Sequence, residues 1–254
     1  MKLKLFELTS QRAIVVGGAG DLGFSILEGL LEAGASAVAI DISPEVKLMS
    51  ASLREKGYEV HGLEVDVTDR LAIKKSVSDS AQLLGGDIDI LVNAAGIQRR
   101  APSEDFSEQD WDDVLAVNLT AAFIYSQQVA RGMIARKRGK IIHVSSIMSH
   151  FGGITIPAYA ASKGGLSQLT KALSNDWAAK GICVNAIAPG YIDTQLNTAL
   201  ISDEKRSTEV LLRTPVKRWG VPADMKGVVI FLASAASDYV TGTVIPVDGG
   251  YSAR

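Results

Sequence analysis

Tyr159 and Lys163 stand four residues apart in the segment YAASK, and no other of the six tyrosines has a lysine at that spacing. On a helix, positions i and i+4 share a face, so the ammonium can lie beside the phenol. A nearby positive charge favours the phenolate and draws the tyrosine pKa down from about 10 toward working pH, as a general acid/base requires. Tyr159 can then take a hydroxyl proton while hydride leaves the same carbon. The same spacing also describes an amphipathic helix with a snorkelling lysine, so the pair needs company. Ser145 and Ser146 supply it at the end of the apolar run KIIHV. A hydroxyl at the carboxyl end of a strand can polarise a carbonyl or bind an alcohol, although two serines after a strand equally make a turn.

A second constellation lies near the start of the chain. The run AIVV leads into Gly17, Gly18, Ala19, Gly20, Asp21, Leu22 and Gly23, and then into the helical FSILEGLLEAG. Gly18, Gly20 and Gly23 satisfy G-x-G-x-x-G, in which glycines let the backbone approach a pyrophosphate at the positive end of a helix. Asp41 closes the second strand at the distance where a carboxylate meets ribose hydroxyls. Its charge would repel the 2′-phosphate of NADP, and neither Ile42 nor Ser43 supplies an arginine to receive one, so NAD is the expected cofactor. A glycine-rich turn followed by a solvated aspartate is the plainer alternative.

Positioning these groups requires strands that deliver them to one edge. Short apolar runs at 13–17, 37–40, 59–65, 88–93, 140–145, 182–187 and 244–247 read as strands. Helical periodicity fills 22–33, 45–55, 70–84, 109–136, 158–179 and 223–233, with Thr68 and Ser107 as caps. This alternation predicts an α/β fold with a doubly wound parallel sheet of about seven strands and helices on both faces. No linker or repeat divides the chain, so a single domain over 1–254 is expected. The long stretch 190–221 follows a strand's carboxyl end, the side on which open α/β sheets bind ligands, and reads as a substrate loop.

The bulk properties fit a small-molecule enzyme. The 254 residues carry 26 basic and 28 acidic side chains without long runs of one sign, which gives no support to nucleic-acid or membrane partners. The lone Cys183 excludes an internal disulfide, fits a cytoplasmic location, and reads as a small hydrophobe in the buried strand ICVNAI. One cysteine and three scattered histidines offer no metal cluster, so no metal is expected.

Together the residues resemble the short-chain dehydrogenases/reductases over essentially the whole length. The matching elements are GGAGDLG, Asp66 in LEVDVTD, NAAG at 93–96, Asn118 in VLAVNLTAAF, Ser146, YAASK, NAIAPGYIDT and VDGG. The resemblance implies a Rossmann-like fold in which Ser146 orients the substrate oxygen and Tyr159 is the acid/base. Lys163 would contact the nicotinamide ribose and lower the tyrosine pKa, while Asn118 holds a water that relays protons. It also implies that Gly17, Gly18, Gly20, Asp21, Leu22 and Gly23 meet the pyrophosphate. Asp41 and Ile42 would meet the ribose, and Asp66 and Val67 the adenine. Asn93, Ala94, Gly96, Pro189 and Gly190 would line the cofactor, with Ile192 and Thr194 at the carboxamide. In two places the chain departs from the family: Val16 replaces a threonine, and Asp21 replaces the middle glycine of the turn, which bears on cofactor affinity.

Closer likeness lies with the sugar-acid dehydrogenases of that family, those of gluconate or 2-dehydro-3-deoxygluconate, through GIQRRAPSEDF, APGYIDTQLNTAL and RTPVKRWGVPADMKGVVIFLASAASDYVTG. Arg99 and Arg100 are then candidates for a carboxylate, and Gln98, His150 and Gln195 for hydroxyls. Neutral sugars, polyols and small ketones are the alternative substrates. A non-catalytic dinucleotide-binding regulator is a remoter reading, since Tyr159, Lys163 and Ser146 are all retained. The C-terminal helix and strand resemble the surfaces of a homotetramer.

Overall fold

Runs such as AIVV are apolar at every position, as strands must be when helices cover both sides of a sheet. The computed structural model describes residues 4–254. Its strands are β1 (Arg12–Val16), β2 (Ser36–Asp41), β3 (Val60–Glu64), β4 (Ile90–Asn93), β5 (Gly139–Val144), β6 (Ile182–Pro189) and β7 (Val244–Val247). They form one parallel sheet in the order β3-β2-β1-β4-β5-β6-β7. The helices are α1 (Asp21–Glu32), α2 (Glu45–Glu55), α3 (Arg70–Leu83), α4 (Glu108–Leu115), α5 (Ala121–Arg136), α6 (Pro157–Trp177), α7 (Thr198–Ile201), α8 (Glu204–Arg213) and α9 (Lys226–Ala233).

Side chains alternate across a strand, and the core divides accordingly. Ala13 and Val15 pack with Ile26 and Leu30 of α1, Leu53 of α2 and Leu232 of α9. Ile14 and Val16 pack on the opposite face with Ile73 of α3, Tyr125 and Val129 of α5 and Leu173 of α6. Each fully buried aliphatic side chain contributes about 1.5–3 kcal/mol. The expected two-faced, doubly wound sheet is therefore what the chain forms. Strand order reverses between β1 and β4, which opens a crevice at their carboxyl ends where ligands bind in such sheets.

Several local expectations are corrected. The helix expected over 109–136 is broken by a π-helical turn, Ala116–Thr120, between α4 and α5. Its Asn118 side chain is tied to Ile97 and Ser162, contacts that hold the chain away from a regular helix. Asp69, not Thr68, caps α3, accepting from the Leu71 and Ala72 amides at 2.8 and 3.1 Å. Thr68 is occupied instead with Asp66. Ser107 caps α4 as expected, accepting from the Asp110 amide at 3.0 Å. The last helix begins one turn later, after the 3-10 turn Pro222–Met225. Cys183 is only half-buried, because its side of β6 is covered by the Asp238 turn rather than by a helix.

The stretch 190–221 is not structureless. It contains α7 and α8, and its two ends close on each other through an Ile192–Gly220 bridge. The Asp193 amide donates to Gly220 O at 2.8 Å and the Gly220 amide to Tyr191 O at 2.9 Å. Tyr191 and Trp219 stack edge to face at 5.7 Å across this base. Among the described residues no helix is long and apolar enough to cross a membrane.

Candidate active site

Gly17 leaves β1 with φ of +80°, and a Cβ there would stand 2.5 Å from the Ala95 amide nitrogen. A Cβ on Gly23 would collide with the Gly17 carbonyl. Neither position admits a side chain, so the turn closes against the end of β4 and leaves bare backbone at the start of α1. Asp41, at the end of β2, accepts from the Ala19 amide at 2.9 Å and the Ser43 amide at 3.0 Å. One carboxylate thus clips the glycine turn to the neighbouring strand, and its further lone pairs still face the cleft. Asp21 lies at the cleft rim, where its carboxylate accepts the Gln195 amide at 2.7 Å. Its charge is met by a donor from the 190–221 stretch, which accounts for an acid in this turn.

These elements border a cleft of about 720 Å³. Asp41, Ile42, Asp66 and Val67 line one end, and Ser146, Tyr159, Lys163 and Thr194 the other. Between them lie Gly17, Gly20, Leu22, Gly23, Ala94, Gly96, Pro189, Gly190 and Ile192. The bare glycine turn, the helix N-terminus and the ribose-end carboxylate fit a dinucleotide.

Tyr159 and Lys163 sit on α6, which Pro157 starts in the first-turn position suited to proline. Lys163 is buried, its Nζ donating to Val144 O at 2.8 Å and lying 5.6 Å from the centre of the Tyr159 ring. Burial draws its pKa down to about 8. Both serines border the cleft, but the Ser145 hydroxyl is spent on Lys163 O and Ser167, fastening α6 to β5, whereas Ser146 also borders a neighbouring pocket. The adjacent serines therefore divide into a fastener and a site residue.

The expected lowering of the Tyr159 pKa by Lys163 is not what this geometry gives. Burial pushes the phenol up from its ordinary value; the neighbouring Ser146 hydroxyl and the Arg100 guanidinium act against that rise. Lys163 is turned toward the strand carbonyl, and the cation acting on the phenol is Arg100. At neutral pH the phenol holds its proton. His143, behind Lys163, is buried between Ser126 and Thr170, and burial followed by the Lys163 charge draws its pKa down to about 3. It stays neutral and belongs to the core.

A second pocket of about 440 Å³ adjoins the cleft and shares Ser146 and Tyr159 with it. Gln98 and Arg100 enter from the loop after β4, Phe151 from the turn after β5, and Arg206 and Arg213 from α8. Arg213 is fixed over the Phe151 and Tyr251 rings, 5.1 and 4.2 Å from their centres. Arg206 and Arg213 escape sequence reading because EKRSTEVLLR carries no motif, only an amphipathic period.

Other expected residues lie elsewhere. Arg99 turns outward to Asp110 at 3.3 Å, away from the pocket that Arg100 lines. His150 is exposed and lines neither cavity. Gln195 lines the dinucleotide cleft rather than the second pocket. Asn93 is buried with its amide toward Ser126 at 3.4 Å and does not line the cleft. Gly18 packs on β2, where a Cβ would meet that of Ala39 at 2.8 Å. Asn118 is buried beside the cleft, and both its amide atoms are engaged by Ile97, with Ser162 as a further acceptor.

Comparisons with known proteins agree with this geometry. A family model described as Enoyl-(Acyl carrier protein) reductase matches residues 17–252. The chain is 44% identical to a 2-dehydro-3-deoxy-D-gluconate 5-dehydrogenase of Pseudoalteromonas atlantica, over 99% of this chain and 100% of that one. It is 40% identical to a gluconate 5-dehydrogenase of Gluconobacter oxydans, over 97% and 96% of the two chains. Among solved structures it is similar to a gluconate 5-dehydrogenase from Burkholderia cenocepacia in complex with NADP and tartrate. That likeness has a TM-score of 0.96 at 42% identity and covers 99% of each chain.

Proposed function

The chain belongs to the short-chain dehydrogenase/reductase family, and from that premise we propose that it is an NAD-preferring oxidoreductase interconverting a secondary alcohol and a ketone on a sugar acid of the gluconate or 2-dehydro-3-deoxygluconate type. The observation that carries this reading is the position of Tyr159 where the dinucleotide cleft meets a pocket entered by the Arg100 guanidinium. The named activities of the relatives support the substrate class, as does the tartrate, a dicarboxylate, in the Burkholderia cenocepacia enzyme.

Hydride acceptance or donation is the chemistry of a nicotinamide dinucleotide held in the cleft. Tyr159 takes the substrate hydroxyl proton in oxidation and returns one in reduction. Ser146 orients the reacting oxygen, and Lys163 binds the nicotinamide ribose. Asn118 fixes the wall beside Lys163 along which water relays the proton to solvent. Residues 1–254 act as one NAD-binding unit, with 190–221 as its substrate loop. Arg100 binds the carboxylate and Gln98 a hydroxyl. The half-exposed edge of β7 is consistent with assembly into a homotetramer through the C-terminal surface.

The preference for NAD rests on charge. Asp41 and Glu45 both border the ribose end of the cleft, alongside Ile42 and Ser43, and among the described residues no lysine or arginine lines that end. A 2′-phosphate there would meet two carboxylates without a counter-charge. The Burkholderia cenocepacia relative binds NADP, so the direct test is a comparison of both cofactors on gluconate, 2-dehydro-3-deoxygluconate and a neutral polyol. The sugar acids with NAD should give the highest kcat/KM. Asp41→Ala should lower the NAD-to-NADP ratio by about tenfold, on the order of one unscreened charge contact. A wild-type enzyme faster with NADP removes the cofactor preference, and one faster on the neutral polyol removes the substrate class.

A further inference from the structure

We propose that Arg206 of α8 is a specificity-determining residue that, with Arg100, grips the substrate carboxylate from the opposite wall of the outer pocket. The inference rests on the sugar-acid reading and adds a residue to it. In α8 the residues reaching the pocket are Arg206, Glu209, Val210 and Arg213, the i, i+3, i+4, i+7 set that shares one helical face. Asp203 caps the helix by accepting the Arg206 amide at 3.1 Å, and Val210 is buried, so the orientation of this face is set at both ends.

The two arginines on that face have different occupations. Arg213 is held by two aromatic rings and donates to Tyr251 Oη and Arg254 O, each at 3.3 Å. The Arg206 guanidinium has neither an ion pair nor a hydrogen bond among the described residues, although Glu209 lines the same pocket. Arg100, across the pocket, is bonded among the described residues only to Gln98 Oε1 at 3.1 Å. Partial burial and then the facing charge of Arg206 hold Arg100 below the usual arginine range. Two like charges thus converge on a space beside Tyr159, and among the described residues neither is ion-paired, with Glu209 or with any other carboxylate. An anion between them removes the repulsion and gains charge-assisted hydrogen bonds from both sides. Arg206 sits on a segment held at its base by the Ile192–Gly220 bridge and at its far end by the Arg213 contacts, so the substrate's carboxylate fills the gap left between its free guanidinium and Arg100.

The experiment compares gluconate with gluconamide, its uncharged isostere, in wild type, Arg206→Met and Arg206→Lys, all with NAD. Arg206→Met should lower kcat/KM for gluconate about 10- to 100-fold more than for gluconamide, chiefly through KM. Arg206→Lys, which keeps the charge but not the fork, should recover part of that loss. An equal loss on both substrates would mean that Arg206 only supports the loop, and no loss would mean that Arg100 suffices; either overturns the proposal. A wild type that does not distinguish the two substrates overturns the sugar-acid reading itself. A wild type that favours gluconate, with the preference undiminished in Arg206→Met, overturns the grip alone.

Discussion

The two sides of the cleft are made differently. On the dinucleotide side, the glycine turn, Asp41 and Gly96 lie at or just beyond the ends of β1, β2 and β4, whose residues are almost wholly buried, and Asp66 lies just beyond the half-buried β3. There the backbone itself is the binding surface, and a single added Cβ at Gly17 or Gly23 would break it. On the substrate side, Arg206 and Arg213 come from a helix outside the sheet, joined to it through the Ile192–Gly220 base and an aromatic cluster. Tyr159 and Ser146 stand on rigid elements at the seam. A fold of this kind places the reacting groups on or against the sheet and the substrate-facing side chains on segments outside it.

The strongest way to break that contrast is at the seam. Tyr159→Phe removes the proton acceptor but leaves both pockets shaped, so turnover should fall by at least about 1,000-fold while NAD binding, read by titration, changes little. Comparable turnover in the mutant would mean that the seam is not where the proton moves.

A smaller effect separates the two sides by charge. Because the Tyr159 phenol lies above its ordinary pKa, kcat/KM for alcohol oxidation should climb with pH from 7 toward 10, since oxidation needs the phenolate. Ketone reduction, which needs the protonated phenol, should show no such rise. Arg100 favours the phenolate, so Arg100→Met should move the oxidation limb to higher pH and lower the rate on a small neutral alcohol about two- to fivefold at pH 8. An unmoved limb would show that Arg100 serves substrate binding alone.

The smallest expected effect concerns a direct tie between the sides, the Asp21–Gln195 hydrogen bond. Asp21→Ala should speed trypsin cleavage at Lys205 in the ligand-free protein about two- to fivefold, as one solvent-facing hydrogen bond is lost. An unchanged rate would assign the loop's rest position to its other ties, among them the Ile192–Gly220 base and the Arg213 contacts.

Much of the dinucleotide side was legible in the sequence because its residues are contiguous or lie at strand ends, where local rules hold. The glycine turn, Asp41 and the Tyr159–Lys163 spacing are of this kind. The direction of side chains was not legible. Ser145 and Ser146 differ only in which way each points, as do Arg99 and Arg100, and Asn93 faces the core although its neighbour Ala94 lines the cleft. The Tyr159 pKa went the other way because burial raises it, and burial is set by the packing of distant segments; spacing brings Lys163 near the ring, but its ammonium donates to a strand carbonyl.

By itself the amino-acid sequence determined the doubly wound sheet, the edge at which the cleft opens and the Tyr159–Lys163 pair that borders it, because these follow from periodicity and from spacing within single elements. Only the tertiary structure decided that α8 folds back to bring Arg206 opposite Arg100, that Asp21 finds a donor 174 residues away, and that Asn118 interrupts its helix. Those outcomes depend on contacts between distant segments, whose energies arise only once the chain has closed on itself.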